Sequence, residues 1–191
     1  MTPFPTPPEG GYKIVYADPP WSYNDSRCIG AAAEHYPTMS FEDIASLPVE
    51  SVCAKDAVLF LWATYPKLEE ALALIPRWGF TYKSIGFVWV KTYKSGTPFF
   101  GLGRWTRGNT EPCFLAVRGK PHRISAGVSQ LVEAPEEGFD APVARHSAKP
   151  AKVRDRIVEL MGDAPRIELF ARDTALGWQA WGNQVPTAEE K

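Results

Sequence analysis

Cysteine and histidine are scarce, three of each in 191 residues, with Cys28, Cys53 and Cys113 far apart and the histidines equally scattered. An odd, dispersed set of thiols builds no disulfide framework, and no Cys/His cluster has the spacing of a zinc site. A metal-independent protein of a reducing, cytoplasmic compartment is the expectation. Long apolar runs are missing too: none approaches the roughly 18–20 residues of a membrane helix. Met1-Thr2-Pro3-Phe4-Pro5 lacks a basic region followed by an apolar stretch, which argues against a secretory leader. Net charge is nearly absent, with 21 Lys and Arg against 22 Asp and Glu. That balance excludes a uniformly basic, histone-like nucleic-acid binder.

What is present is ordinary globular composition, 45% hydrophobic and 23% charged, at a length suited to one domain. The charge is unevenly placed. Residues 1–76 carry net −6, residues 77–123 net +8 with Glu111 as the sole acid, and residues 124–191 net −3. The basic middle is also rich in Trp, Tyr and Phe.

Four prolines in the first ten residues predict an extended arm over 1–11 without a core role. A single domain follows over 12–186, with a flexible tail at 187–191. Within it, Lys13–Ala17, Ala57–Trp62, Ser84–Lys91, Pro112–Arg118 and Arg166–Phe170 read as strands, most of them apolar throughout. Helices are expected from a Ser40 N-cap to about Leu47, from Pro66 to near Gly79, and from Lys149-Pro150 to Gly162. Residues 22–38 and 92–110 read as loops. Strands alternating with helices indicate an α/β sheet. Trp62 and Trp89, inside apolar strands, read as core.

Chemistry concentrates in Tyr16-Ala17-Asp18-Pro19-Pro20-Trp21. A carboxylate stands where a buried strand ends, the place at which α/β sheets bind ligands. Two prolines stiffen the turn and leave their carbonyls free of local N–H competitors, and an aromatic face follows. The set suits an exocyclic aromatic amine: Asp18 and the Pro19 carbonyl each accept one N–H while Trp21 stacks on the ring. An adenine amine is a weak nucleophile because its lone pair is delocalised. Acceptors out of the ring plane favour a pyramidal nitrogen and aim the lone pair at an electrophile. A sulfonium methyl is already activated, so that chemistry requires no metal.

These motifs resemble the MT-A70 family of adenine-N6 methyltransferases, which includes the catalytic subunit of the eukaryotic messenger-RNA adenosine methyltransferase and many bacterial and phage members. The resemblance runs from Tyr12 to Val185. It rests on Ala17-Asp18-Pro19-Pro20-Trp21, Tyr36-Pro37-Thr38-Met39-Ser40, Leu59-Phe60-Leu61-Trp62-Ala63-Thr64, Val88-Trp89-Val90-Lys91-Thr92 and Glu111. Val117-Arg118-Gly119, Ser147-Ala148-Lys149-Pro150, Ile167-Glu168-Leu169-Phe170-Ala171-Arg172 and Gly182-Asn183-Gln184 complete the order. The match is best to bacterial and phage members.

The resemblance implies a Rossmann-like class I methyltransferase sheet, mostly parallel with helices on both faces. Its catalytic motif precedes the cofactor strand, a permuted order that accounts for the missing G-x-G-x-x-G after the first strand. It implies S-adenosylmethionine as cofactor and no metal. Asp18, Pro19, Pro20 and Trp21 would be catalytic. Asp18, Ser147, Lys149, Glu168, Phe170, Arg172, Asn183 and Gln184 would contact the cofactor, with Ser147 and Lys149 near its carboxylate. Glu168 has a plainer reading as a partner of Arg166 or Arg172, and Lys149 as a solvated charge. Thr110 stands where some relatives carry a lysine just before the glutamate at 111, so the carboxylate contact there is expected to be weaker or supplied otherwise. Some relatives also bind the cofactor adenine with an upstream Asp, for which this chain offers only Glu9.

For the substrate, Lys91, Lys94, Arg104, Arg107, Arg118, Lys120 and Arg123, with Tyr93, Phe99, Phe100 and Trp105 among them, suit a phosphate-tracking loop with stacking groups. Tyr23, Asn24, His35 and Tyr36 are available to line the adenine pocket. The expected activity is methylation of adenine N6 in DNA by in-line transfer after base flipping. RNA is the alternative, and a catalytically silent nucleic-acid-binding subunit a further one. A homodimer is expected to share target recognition, without any membrane association.

Overall fold

The computed structural model describes residues 3–23, 38–101, 103, 105–136 and 148–185. Seven strands form one sheet: β1 (Tyr12–Ala17), β2 (Cys53–Trp62), β3 (Thr81–Thr92), β4 (Thr110–Arg118), β5 (Leu131–Pro135), β6 (Arg166–Leu169) and β7 (Gln179–Trp181). Their spatial order is β5-β3-β4-β2-β1-β6-β7. The β1–β2, β1–β6, β6–β7 and β3–β5 pairs are parallel, and only β4 runs against its neighbours β2 and β3. The sheet is Rossmann-like and mostly parallel, as the resemblance implied.

Alternation along the central strands feeds two cores. Val15, Ala17, Leu59 and Leu61 point to one face, where Ile44 of α1 (Phe41–Ala45), Val49 and Val52 of α2 (Val49–Val52), and Ala71, Leu74 and Ile75 of α3 (Leu68–Arg77) cover them. Ile14, Tyr16, Val58, Phe60 and Trp62 point to the other, covered by Val153 and Ile157 of α4 (Lys152–Met161). A strand buried on both faces has no polar side to show, which is why Ile14–Ala17 of β1 and Ala57–Trp62 of β2 read as continuous apolar runs. Trp62, Trp78 and Trp89 are fully buried.

The expected elements are present with shifted bounds. Ser40 caps α1, its Oγ accepting the Asp43 N–H at 3.2 Å. Pro66 lies in a 3-10 turn (Tyr65–Lys67) that leads into α3. The sequence reading lacked α2, β5 and β7. The arm is not without a core role: the Phe4 ring packs edge-on against Trp181, centroids 4.8 Å apart, and joins the first core. Burying an aromatic ring is worth more than leaving it in water, whatever the prolines around it do.

Register fixes which termini share an end. Ala17 lies beside Leu61 and Leu169, Trp62 beside Cys113, and Trp89 beside Glu111. The exits of β1, β2, β3 and β6 and the entry of β4 therefore meet at one end of the sheet. Arg118, at the other terminus of β4, is at the opposite end.

Candidate active site

Asp18 follows the last residue of β1 at that shared end. A cavity of about 270 Å³ opens there, lined by Asp18, Pro19, Pro20, Trp21, Tyr23, Thr38, Met39, Thr64, Lys149, Phe170, Arg172, Trp181, Gly182, Asn183 and Gln184. Ten residues expected from the sequence in catalytic, cofactor or substrate roles are thus drawn to one concavity from four separate stretches of chain. Asn24, Tyr36, Arg104 and Ser147 lie outside the described residues, as does His35.

The Asp-Pro-Pro-Trp turn is built more tightly than the sequence suggested. The Pro19 carbonyl accepts the Trp21 N–H and the Pro20 carbonyl accepts the Met39 N–H, both at 2.9 Å, so neither is free of competition. A one-residue bend brings the Trp21 amide back onto Pro19, and a short bridge pairs Trp21 with Met39. Each carbonyl keeps a second lone pair. Trp21 is buried, its indole N–H donating to the Trp62 carbonyl at 3.3 Å, and it forms wall rather than a projecting plate. Tyr23 is fixed beside it by a 2.5 Å hydroxyl contact with Thr64 and by Lys67, whose ammonium sits 5.4 Å from its ring centroid.

Lys149 is not a solvated charge. Only 10% exposed, its ammonium donates to Asp18 Oδ2 at 2.8 Å and contacts Glu111 Oε2 at 3.3 Å. Burial opposes that charge, but the Asp18 and Glu111 carboxylates outweigh it and raise the Lys149 pKa well above the ordinary lysine value. Glu111 is buried, which by itself favours its neutral form; Lys149 and Lys91 reverse this and hold its pKa below 4.5. Lys91 and Lys149 are both ion-paired to Glu111, while Thr110 itself meets the Tyr65 hydroxyl at 2.7 Å.

Glu168, expected at the cofactor, does not line the cavity, whose wall resumes two residues on at Phe170. Its carboxylate is held bidentately by Arg154, at 2.6 and 2.8 Å, rather than by Arg166 or Arg172. Burial raises its pKa and Arg154 works against that rise. Phe170, the next residue but one, takes a positive φ of 61°, a left-handed conformation that costs a non-glycine residue about 1–2 kcal/mol. That turn at the end of β6 directs the chain around the cavity, and the Phe170 ring leans edge-on to Trp181, centroids 5.6 Å apart.

The basic segment is divided. Lys94 and Arg107 lie in the 93–109 connection at the site end, with Trp105 99% and Phe100 64% exposed and Arg107 5.3 Å from the Phe100 ring centroid. Lys91 is no phosphate-tracking group: it is 15% exposed and ion-paired to Glu111 and Glu136, each at 2.6 Å. Arg118, Lys120 and Arg123 belong to the opposite end. Arg118 holds Glu50, and the Lys120 N–H meets Asp56 at 2.6 Å. A charge count along the chain cannot see that β4 carries its two termini to opposite ends of the sheet.

Thr38, Met39, Thr64 and Trp181 were not assigned as cavity wall from the sequence. The signal available was their place in or next to the quoted motifs. No helix among the described residues is long and apolar enough to cross a membrane.

Comparison with known proteins shows which relatives the chain resembles. The chain is 32% identical over 203 residues to the Type II methyltransferase M.MunI of a Mycoplasma species, covering 96% of this chain and 82% of that one. It is 28% identical to an N(6)-adenosine-methyltransferase MT-A70-like protein of Arabidopsis thaliana over 92% of this chain, yet spans only 24% of that longer relative. With the N6-methyladenosine RNA methyltransferase MTA1 of Pyricularia oryzae it shares 25% identity, over 94% of this chain and 48% of the other. The MT-A70 family model matches residues 12–184, from the start of β1 to the last amide of the cavity wall, and the chain belongs to the MT-A70 family of methyltransferases.

Proposed function

We propose that this chain transfers a methyl group from S-adenosylmethionine to N6 of an adenine in DNA. The observation that carries the reading is the Asp18 carboxylate, at the strand exit, in a cavity walled by Trp21, Tyr23 and Phe170 and tied to a buried ammonium. The lining suits two ligands of different character. Arg172, Asn183 and Gln184 offer donors for hydroxyls and ring nitrogens, and Lys149 a cation for a carboxylate. MT-A70 methyltransferases use S-adenosylmethionine, which supplies an activated sulfonium methyl when bound.

Asp18 then has two tasks. One oxygen is fixed by Lys149, and the carboxylate accepts from the N6 amine so that the nitrogen lone pair turns toward the methyl carbon. The Pro19 carbonyl uses its second lone pair for the other N6 hydrogen. Trp21 and Tyr23 confine the ring in the cavity, which excludes water and limits the poses from which attack is in line. No base is needed before attack, because the N6 proton becomes acidic once the fourth bond forms. An adenine in a duplex must be extruded to reach Asp18, so single-stranded or mispaired targets should react faster.

DNA is favoured by the likeness to a compact bacterial Type II methyltransferase along most of both chains. RNA is the second reading, favoured by the fungal relative named as an RNA methyltransferase. Incubation with methyl-labelled S-adenosylmethionine and, separately, duplex DNA, single-stranded DNA and RNA, followed by digestion to nucleosides, tests both. N6-methyladenine from DNA is the expected product. Label in RNA alone would transfer the reading to RNA, and no labelled adenine from any substrate would overturn it.

A further inference from the structure

Five charges run across the site end of the sheet in alternating sign, Glu111 buried and the others partly so: Asp18, Lys149, Glu111, Lys91 and Glu136. They come from the exit of β1, the approach to α4, the start of β4, the end of β3 and the residue after β5, so the row spans the sheet from β1 to its β5 edge. Both ammonium groups lie over buried indoles, Lys91 4.7 Å from the Trp89 centroid and Lys149 5.7 Å from that of Trp62. The outer half of the row has no contact with the cavity, and methyl transfer as derived above gives it no task.

Its task follows from the competition for Lys149. That ammonium lies between two carboxylates, 2.8 Å from Asp18 and 3.3 Å from Glu111. It stays on Asp18 because Glu111 is already neutralised by Lys91 at 2.6 Å. Lys91 is in turn held in place by Glu136 at the same distance. Without Lys91, Glu111 would carry an uncompensated buried charge, with Glu136 repelling it from the far side. In an interior that screens weakly, such a charge draws the neighbouring ammonium to itself.

We propose that Lys91 is a positioning residue of the methyl-transfer site, which by neutralising Glu111 keeps Lys149 on Asp18. The inference rests on the methyl-transfer reading of Asp18 and extends it to a residue outside the cavity. Lys91 never meets substrate in this arrangement, so it affects the geometry of Asp18 and Lys149 but not the electrostatic capture of nucleic acid.

Charge-balance variants provide the test, each first checked for folding by circular dichroism and thermal melting. Lys91→Met should lower kcat by about 10–100-fold, the scale of a misplaced reacting group, with the salt dependence of substrate binding unchanged. Lys91→Met/Glu111→Gln removes the pull on Lys149 and should recover most of the lost kcat. Lys91→Met/Glu136→Gln leaves the Glu111 charge in place and should recover none of it. Near-native kcat in Lys91→Met, equal recovery in both double variants, or recovery in neither would overturn the proposal. Calorimetric titration of the same proteins with S-adenosylmethionine supplies a readout without nucleic acid: affinity should fall in Lys91→Met and return only with Glu111→Gln. Absence of labelled adenine with the unaltered protein would sink the methylation reading alone, because the affinity series still decides on Lys91.

Discussion

Asp18 is singled out by what converges on it: a strand exit, a proline-stiffened turn and a buried ammonium at 2.8 Å. Asp18→Asn keeps the shape and one acceptor but removes the charge that Lys149 pairs with. It should cost about 10²–10³-fold in single-turnover rate, the range for losing one preorganised electrostatic contact, with secondary structure intact. Rapid-quench methylation measures this, and a near-native rate would remove Asp18 from the chemistry. Glu111 makes a different, pH-dependent contribution. Lys149 and Lys91 hold its pKa below the ordinary 4.5, so the ionised form is favoured by folding. Its stabilisation is present above that ordinary value and is lost as pH falls through the lowered one. Acid unfolding followed by tryptophan fluorescence should therefore be shallower below about pH 4.5 in Glu111→Gln than in the unaltered chain.

Among the elements, α4 is tied to β6 by the Arg154–Glu168 pair, which anchors the strand just before the strained Phe170 turn. Arg154→Met leaves a buried carboxylate alone and should cost about 3 kcal/mol in urea denaturation at neutral pH. Burial raises the Glu168 pKa, so the folded state holds the proton more tightly than the unfolded one. The variant's penalty should accordingly shrink as pH is lowered toward 4.5 and Glu168 becomes neutral. A penalty independent of pH would show that Arg154 acts through packing alone. The same elements show what the sequence made legible. The central strands declared themselves because burial on both faces forbids polar residues, and Asp18 stood out because it ends such a run. β5 and β7 did not: Leu131–Pro135 contains Glu133 and a proline, and β7 is three residues at a sheet edge. Edge strands face solvent and tolerate such residues. Without β5 in view, the pairing of Lys91 with Glu136 had no signal, and Lys91 looked like one more basic residue of the loop. Arg154 was hidden for a related reason, since its partner lies across a strand-to-helix packing contact.

At the scale of the whole molecule, near-zero net charge conceals a spatial division rather than a balanced surface. The +8 segment of residues 77–123 is split by the antiparallel course of β4: Lys94 and Arg107 lie at the site end of the sheet, while Arg118, Lys120 and Arg123 lie at the opposite end. Lys91 is consumed internally by Glu111 and Glu136. If nucleic acid is drawn to the cavity by the site-end cations, only those contribute to counterion release on binding. Reversal of Lys94 and Arg107 to glutamate should weaken binding of a labelled adenine-containing strand and reduce the slope of log affinity against log salt by about one to two. The same reversal at Lys120 and Arg123 should leave both unchanged. Trp105, fully exposed on the same connection, adds a sequence-tolerant term: Trp105→Ala should cost about 1–3 kcal/mol of binding with no change in salt slope, because stacking releases no ions. Fluorescence anisotropy across a salt series measures all three. Equal effects from the two ends would mean that the strand wraps the whole molecule, and the cavity would then lose its privileged electrostatic approach.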